Sequence, residues 1–284
     1  MKITSLQKNT VRVLMLLIYL VVVALALVTL LPVIYALLGS FRSTHEILTS
    51  ESLWPGKFIF DNYRTVWNEI DFSRYTMNSV MIAASTVAAN LFFTSMTAFA
   101  LDRKQMKLGK IISKIYVASI FISVPVATIY PIFSLVVSLN LNSTIWGLVL
   151  VGTADVSSIF LVQGYLRGIS KELDESAKLD GCGFFRTYWN IIMPLCVPIL
   201  AVVALLTFRG SWNSYLMPMV FTMGNRHLTP LTVAVVELRN SGMMATNYGV
   251  MLAGTALSLV PMLIVYFVAN KQFVAGLTEG AIKG

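Results

Sequence analysis

The chain has 284 residues, of which 57% are hydrophobic and 12% charged, with a mean hydropathy of +0.76. Soluble domains carry about 25% charged residues, so a soluble enzyme core and a disordered chain are both excluded, and 17 Gly with 2 Cys exclude collagen and a disulfide scaffold. The net charge of +8 reads as Lys and Arg of cytoplasmic loops beside anionic lipid, and not as a nucleic-acid footprint.

Charge-free intervals predict the spans. Between Arg12 and Arg42 lie 29 uncharged residues, and between Arg74 and Asp102 there are 27. Ile115 to Ala154 gives 40, too many for one helix of about 20 residues. Asn140-Leu141-Asn142-Ser143 divides that stretch by its turn composition. Arg186–Arg209 and Arg239–Lys271 enclose the last two apolar runs. The expected fold is an all-α integral membrane protein with six spans, near 12–38, 75–100, 112–137, 145–166, 194–215 and 249–270. The first span is too long for a cleaved signal core and is followed by no A-x-A-like site, so it reads as an anchor. Residues 1–74 form the first helix with an outer segment, and 75–284 a five-helix core with a loop near 167–193. No internal repeat is visible.

Basic residues orient the chain. Fourteen Lys and Arg fall on the side holding both termini and the loops 101–111 and 167–193, against six on the other side. Both termini are therefore expected in the cytosol. The outer loops are then 39–74, 138–144 and 216–248. Segment 43–74 interleaves Trp54, Tyr63, Trp67 and Phe72 with charges, as an interfacial aromatic belt does. Cys182 and Cys196 fall near the cytosolic face and should be reduced thiols.

The chain carries no chemistry of its own. Neither Gly56-Lys57 nor Gly109-Lys110 is followed by Ser or Thr, so no P-loop exists. His45 and His227 are the only histidines, and no metal or catalytic set assembles on one face, so no cofactor is expected. Work must be driven by an ion gradient or by a partner ATPase. The ionisable groups placed in spans are Asp155 and Arg209. They pair with each other or with a partner chain, form a proton relay, or line a polar path.

Residues 167–198 read as a helix-turn-helix elbow outside the bilayer. Ser170 is a good N-cap, and Glu172, Asp174 and Glu175 suit a first turn. Leu173 and Ala177 give an apolar stripe, and Asp180-Gly181 ends the helix with Gly181 free to take positive φ. A second short helix is expected over 183–192, with Pro194 and Pro198 at the start of the fifth span. Such a lever can dock in a partner's groove and transmit its motion.

Glu175-Ser176-Ala177-x-x-Asp180-Gly181, with Pro194 nineteen residues after Glu175, resembles the EAA motif of ABC importer permeases. The similarity to carbohydrate-importer permeases of the maltose-permease type, the shorter permease chain, runs almost end to end. It includes Asp61-Asn62-Tyr63, Asn78-Ser79, Ala98–Arg103, Leu139–Ser143, Trp212-Asn213 and the tail Phe273–Gly284. Ser170, Ser176, Cys182 and Tyr188 depart from the common residues by small steps.

The resemblance implies an importer subunit in the cell membrane that encloses half of a sugar path. Its implied partners are a second permease chain, two ATPase subunits that use ATP and Mg, an extracytoplasmic solute-binding protein, and lipid; nucleic acid is not one. Glu175, Ser176, Ala177, Asp180 and Gly181 would form the ATPase coupling element, with the tail from Gln272 reaching the same subunits. Loop 222–247 resembles the one that meets the binding protein. Asn90, Thr207, Ser211, Asn213 and Ser258 are path candidates, each alternatively glue between helices. Trp212 could stack on a sugar ring or sit in the interface belt. The alternatives are a same-class importer for a polyol, glycerol phosphate or peptide, and an ion-coupled carrier.

Overall fold

The computed structural model describes residues 5–69, 71–103, 107–121, 125–240 and 247–281, and the regular elements among them are all helical. In lipid every backbone polar group must be satisfied within the segment, which a helix does. Among the described residues three helices are long and apolar enough to cross a membrane, within Arg12–Gly39, Phe72–Arg103 and Tyr248–Asn270. Two further helix pairs are apolar enough only when taken together, each a broken span or a re-entrant loop. One bends by 45° between Ile145–Thr153 and Val156–Leu166, the other by 78° between Phe184–Leu195 and Val197–Trp212. The fourth predicted span is thus not one continuous helix. The third falls on two helices, Lys107–Phe121 and Pro125–Ser138, and residues 122–124 between them lie outside the described residues.

The chain divides into two units. The first comprises Met1–Ile70 and Glu237–Leu257. Its helices are α1 (Ser5–Gly39), α2 (Thr44–Thr49) and α3 (Asp61–Glu69). Side chains from Val13 to Val28 are exposed on every face of α1, as in a helix whose solvent is lipid. The turn after α1 is polar and closed. Arg42 is 2% exposed and pairs with Glu46, four residues on, at 3.5 Å, and its Nη2 donates to the Glu46 carbonyl. Glu46 Oε1 also accepts the Gly56 N–H at 2.7 Å. Asn62 donates to the Ser40 and Arg42 carbonyls, and the Tyr63 and Ser40 hydroxyls meet at 2.6 Å. These bonds give a physical role to the Asp61-Asn62-Tyr63 motif. A Cβ at Gly249 would strike the Arg42 carbonyl and the Asn62 amide, so a glycine is required where that chain closes on the turn.

The second unit comprises Asp71–Val236 and Ser258–Gly284. Its spine is α4 (Phe72–Arg103), followed by α5 (Lys107–Phe121), α6 (Pro125–Ser138), α7 (Ile145–Thr153) and α8 (Val156–Leu166). The buried side of α4 runs Asn78, Ile82, Thr86, Asn90, Thr94, Ser95 and Ala98 at helical spacing. Small and polar residues there let neighbouring backbones approach and give interhelical hydrogen bonds. Asn78 donates to the His227 and Thr229 carbonyls, and the Ser79 hydroxyl accepts the Leu231 N–H at 2.8 Å. The predicted turn after α6 is present, with Asn140 at φ +56, a region Asn tolerates. One apolar core gathers Phe99, Leu166, Tyr188, Ile192 and Val203, and another Ile82, Val136, Leu148 and Phe221.

Candidate functional site

The elbow is built as α9 (Glu172–Leu179), α10 (Phe184–Thr187), a π-helical turn Tyr188–Ile192 and α11 (Met193–Leu195), leading into α12 (Val197–Trp212). Three acids stand in the first turn of α9, where the helix dipole favours negative charge. The N-cap is Lys171, with no side-chain cap bond, and not Ser170 as expected; Ser170 lies one residue earlier, where its Oγ accepts the Glu172 N–H at 3.2 Å. The helix ends in a Schellman motif. The Cys182 N–H reaches the Ala177 carbonyl at 2.8 Å, the Gly181 N–H reaches that of Lys178 at 3.0 Å, and Gly181 sits at φ +75. That conformation strains residues with a Cβ. Pro194 has no N–H to return to Asn190, and the turn before it widens to the π pattern. The chain then bends at Cys196, and Pro198 falls in the first turn of α12.

Two buried contacts fasten the elbow to α4. Arg103 Nε pairs with Asp174 at 2.9 Å while its Nη2 donates to the Ile169 carbonyl at 3.1 Å. The Tyr188 and Ser95 hydroxyls meet at 2.6 Å. Sequence reasoning missed both, although Arg103 ended a motif and the Tyr188 hydroxyl was an extra polar atom. Ala177 is packed inside, whereas Glu175, Ser176, Asp180 and Gly181 are exposed, and Leu179 is 89% exposed. A cleft of about 350 Å³ lies beside this face, lined by Phe99, Arg103, Asp174, Glu175, Lys178 and Cys182 among others. The arrangement is a lever with an acidic and apolar tip, clamped at its base.

The structure redistributes the path candidates. Asn90 is 0% exposed, donates to the Thr153 carbonyl at 3.0 Å and accepts from the Thr207 and Thr94 hydroxyls. Asn90 and Thr207 therefore join α4 to α7 and α12. Trp212 is 4% exposed, stacks on Phe208, and donates from Nε1 to the Ser258 carbonyl at 3.2 Å. Its ring is occupied, which removes both sugar stacking and the interface belt. Asn213 is exposed and donates to the Arg209 carbonyl, and Ser211 and Ser258 are half-buried.

Asp155 and Arg209 are not a buried pair. Asp155 stands at the break between α7 and α8 as the N-cap of α8, half-buried, accepting from the Ser157 N–H and the Ser158 hydroxyl. Arg209 is exposed in this chain, and no ion pair joins the two. The Thr153-Ala154-Asp155 carbonyl-to-cap sequence was the missed signal. Loop 222–247 carries a 3-10 turn Arg226–Leu228 after α13 (Leu216–Thr222), then α14 (Leu231–Asn240); residues 241–246 lie outside the described ones. The tail from Gln272 continues α15 (Tyr248–Ala281) as helix, and residues 282–284 lie outside the described ones.

Residues 103–272 match the family model described as the binding-protein-dependent transport system inner membrane component, and the chain belongs to that family. Among its relatives is AmyC of Thermoanaerobacterium thermosulfurigenes, described as a probable starch degradation products transport system permease protein. It is 31% identical over 271 residues, covering 92% of this chain and 94% of that one. YurM of Bacillus subtilis, described as a probable ABC transporter permease protein, is 30% identical over 255 residues, 89% of this chain and 83% of that one. The fold matches, at TM-score 0.82 and 23% identity, a chain in the crystal structure of a bacterial ABC transporter involved in the import of the acidic polysaccharide alginate. The match covers 96% of this chain and all of that one. The protein is thus a multi-pass membrane permease subunit of an importer, operating with other transporter components, and not itself an enzyme.

Proposed function

We propose that the chain is one of two permease subunits of an ATP-driven importer for a sugar, and that the elbow is its ATPase-docking lever. The observation that carries the coupling reading is the pairing of an exposed tip with a buried base. Leu179 and Glu175 stand free, while Asp174 and Tyr188 are tied to α4. A push on α9 must therefore move α4 and α12 together, which is how a partner's closure would reshape the helices between outward-open and inward-open states. Two ATPase subunits supply the push with ATP and Mg, and a binding protein outside delivers the solute. The starch-product role in the name of AmyC supports sugar as the cargo.

The test is co-purification of an ATPase with the chain, followed by solute-stimulated ATP hydrolysis in the complex. Gly181→Arg is expected to leave membrane insertion intact and abolish that stimulation. Normal coupling in this variant would overturn the elbow assignment. Screening the melting temperature of the cognate binding protein against sugars identifies the cargo, because a ligand stabilises the protein it binds. Transport by the chain without any ATPase would favour the ion-coupled alternative.

A further inference from the structure

Within the second unit a cavity of about 230 Å³ opens at the break between α7 and α8, against α4, α12 and α13. Its polar lining is Thr86, Asp155, Thr207, Ser211 and Ser214, and Gly152 and Gly210 are exposed beside them. Among the described residues no basic and no aromatic side chain is in the wall; the rest is aliphatic, Met217 and Pro218. At ~30 Å³ per water, the space suits one sugar ring better than a whole oligosaccharide.

Two observations show that the cavity has unmet polar demand. Thr86 is 1% exposed, lines the cavity, and its Oγ1 has no hydrogen-bond partner among the described residues. A threonine on a helix can turn its hydroxyl to the carbonyl one turn back, and Thr153 and Thr222 do so here; Thr86 does not. Asp155 spends one bond on the Ser157 N–H and one on the Ser158 hydroxyl. An ionised carboxylate has about four lone-pair sites, so Asp155, which lines the cavity, keeps acceptor capacity. The space itself depends on a glycine. A Cβ at Gly152 would lie 2.8 Å from Thr86 Cγ2.

We propose that this cavity is a solute subsite of the import path, taking one ring of a neutral, polyhydroxylated solute. The Asp155 carboxylate accepts from its hydroxyls, and Thr86 Oγ1, Ser211 and Ser214 complete the bonding. The same carboxylate, without a cation among the described residues of the wall, repels a uronate ring, so the subsite discriminates against acidic polysaccharides. This inference rests on the sugar-import reading above and locates where the chain itself meets the cargo.

The experiment uses the complete importer in proteoliposomes with its binding protein. Uptake of three neutral probes (maltotriose, raffinose and arabinotriose) is measured together with ATP hydrolysed. A solute no longer held at the subsite escapes while ATP is still consumed, so the readout is sugar moved per ATP. Thr86→Val, which removes a hydroxyl with no partner among the described residues, is expected to lower that ratio about three- to tenfold, the worth of a hydrogen bond. Thr86→Ser restores it. Asp155→Asn keeps the helix cap and is expected to lower the ratio at least as far. A role in folding alone would reduce uptake and hydrolysis in parallel.

An unchanged ratio in both Thr86→Val and Asp155→Asn, with wild-type uptake intact, overturns the subsite and leaves sugar import standing. If wild-type complex takes up none of the three probes, the sugar reading falls and the subsite with it. Should Asp155→Asn not assemble, Thr86→Val decides alone.

Discussion

Gly181 shows how one residue sets the geometry of the lever. Its φ of +75 is accessible to glycine and costly for other L-residues, and a Cβ there would meet nothing within 4 Å. The penalty for substitution is therefore backbone strain alone, about 1–2 kcal/mol. Gly181→Asn, which tolerates that region, is expected to keep the hydrogen-exchange protection of the Cys182 amide, and Gly181→Val to lose it. This feature was legible in the sequence because Asp-Gly after an amphipathic stretch has a local cause. The Tyr188–Ser95 bond was not, since its partners lie 93 residues apart and no local pattern reports them. Tyr188→Phe leaves Ser95 bonded to the Leu91 carbonyl, so a loss of about 0.5–1.5 kcal/mol is expected, read as a lower melting temperature of the purified chain.

At the scale of elements, hydropathy located the apolar runs but not their breaks. A charge-free interval reports composition, whereas the bends at Asp155 and Cys196 come from capping and proline chemistry inside it. Asp155 looked like a mid-span charge for that reason, and its cap role follows once α8 is seen to restart beside it. The elbow's attachment is likewise an element-level fact. Arg103 and Asp174 are 7% and 13% exposed, and removing one partner of a buried pair costs about 3–5 kcal/mol because the other charge is stranded. Arg103→Met is therefore expected to loosen α9 strongly. The double variant Arg103→Met with Asp174→Leu should recover only part of the loss in a melting series, because Asp102, 3.4 Å from Arg103 and 10% exposed, stays unpaired. Equal loss in the single and double variants would show that Arg103 acts through Asp102 and the Ile169 carbonyl instead.

For the whole molecule, the asymmetry of fourteen basic residues against six predicts a sidedness that fold alone does not. Lys and Arg resist translocation, so the loop bearing the elbow is expected on the side of the termini. Leu179 and Trp54 are both exposed, at 89% and 66%, and they fall on opposite sides in this arrangement. In a Cys182→Ser background, Leu179→Cys should react with a membrane-impermeant thiol reagent only in inverted vesicles, and Trp54→Cys only in intact cells. Cys196, at 3% exposure, should stay silent in both. Reaction of Leu179→Cys from outside would place the lever where no cytosolic ATPase can reach it, and the coupling mechanism would fail however well the elbow is built. Protection of the same thiol in inverted vesicles by the co-purified ATPase, and its return on removing that subunit, would show the lever seated against its motor.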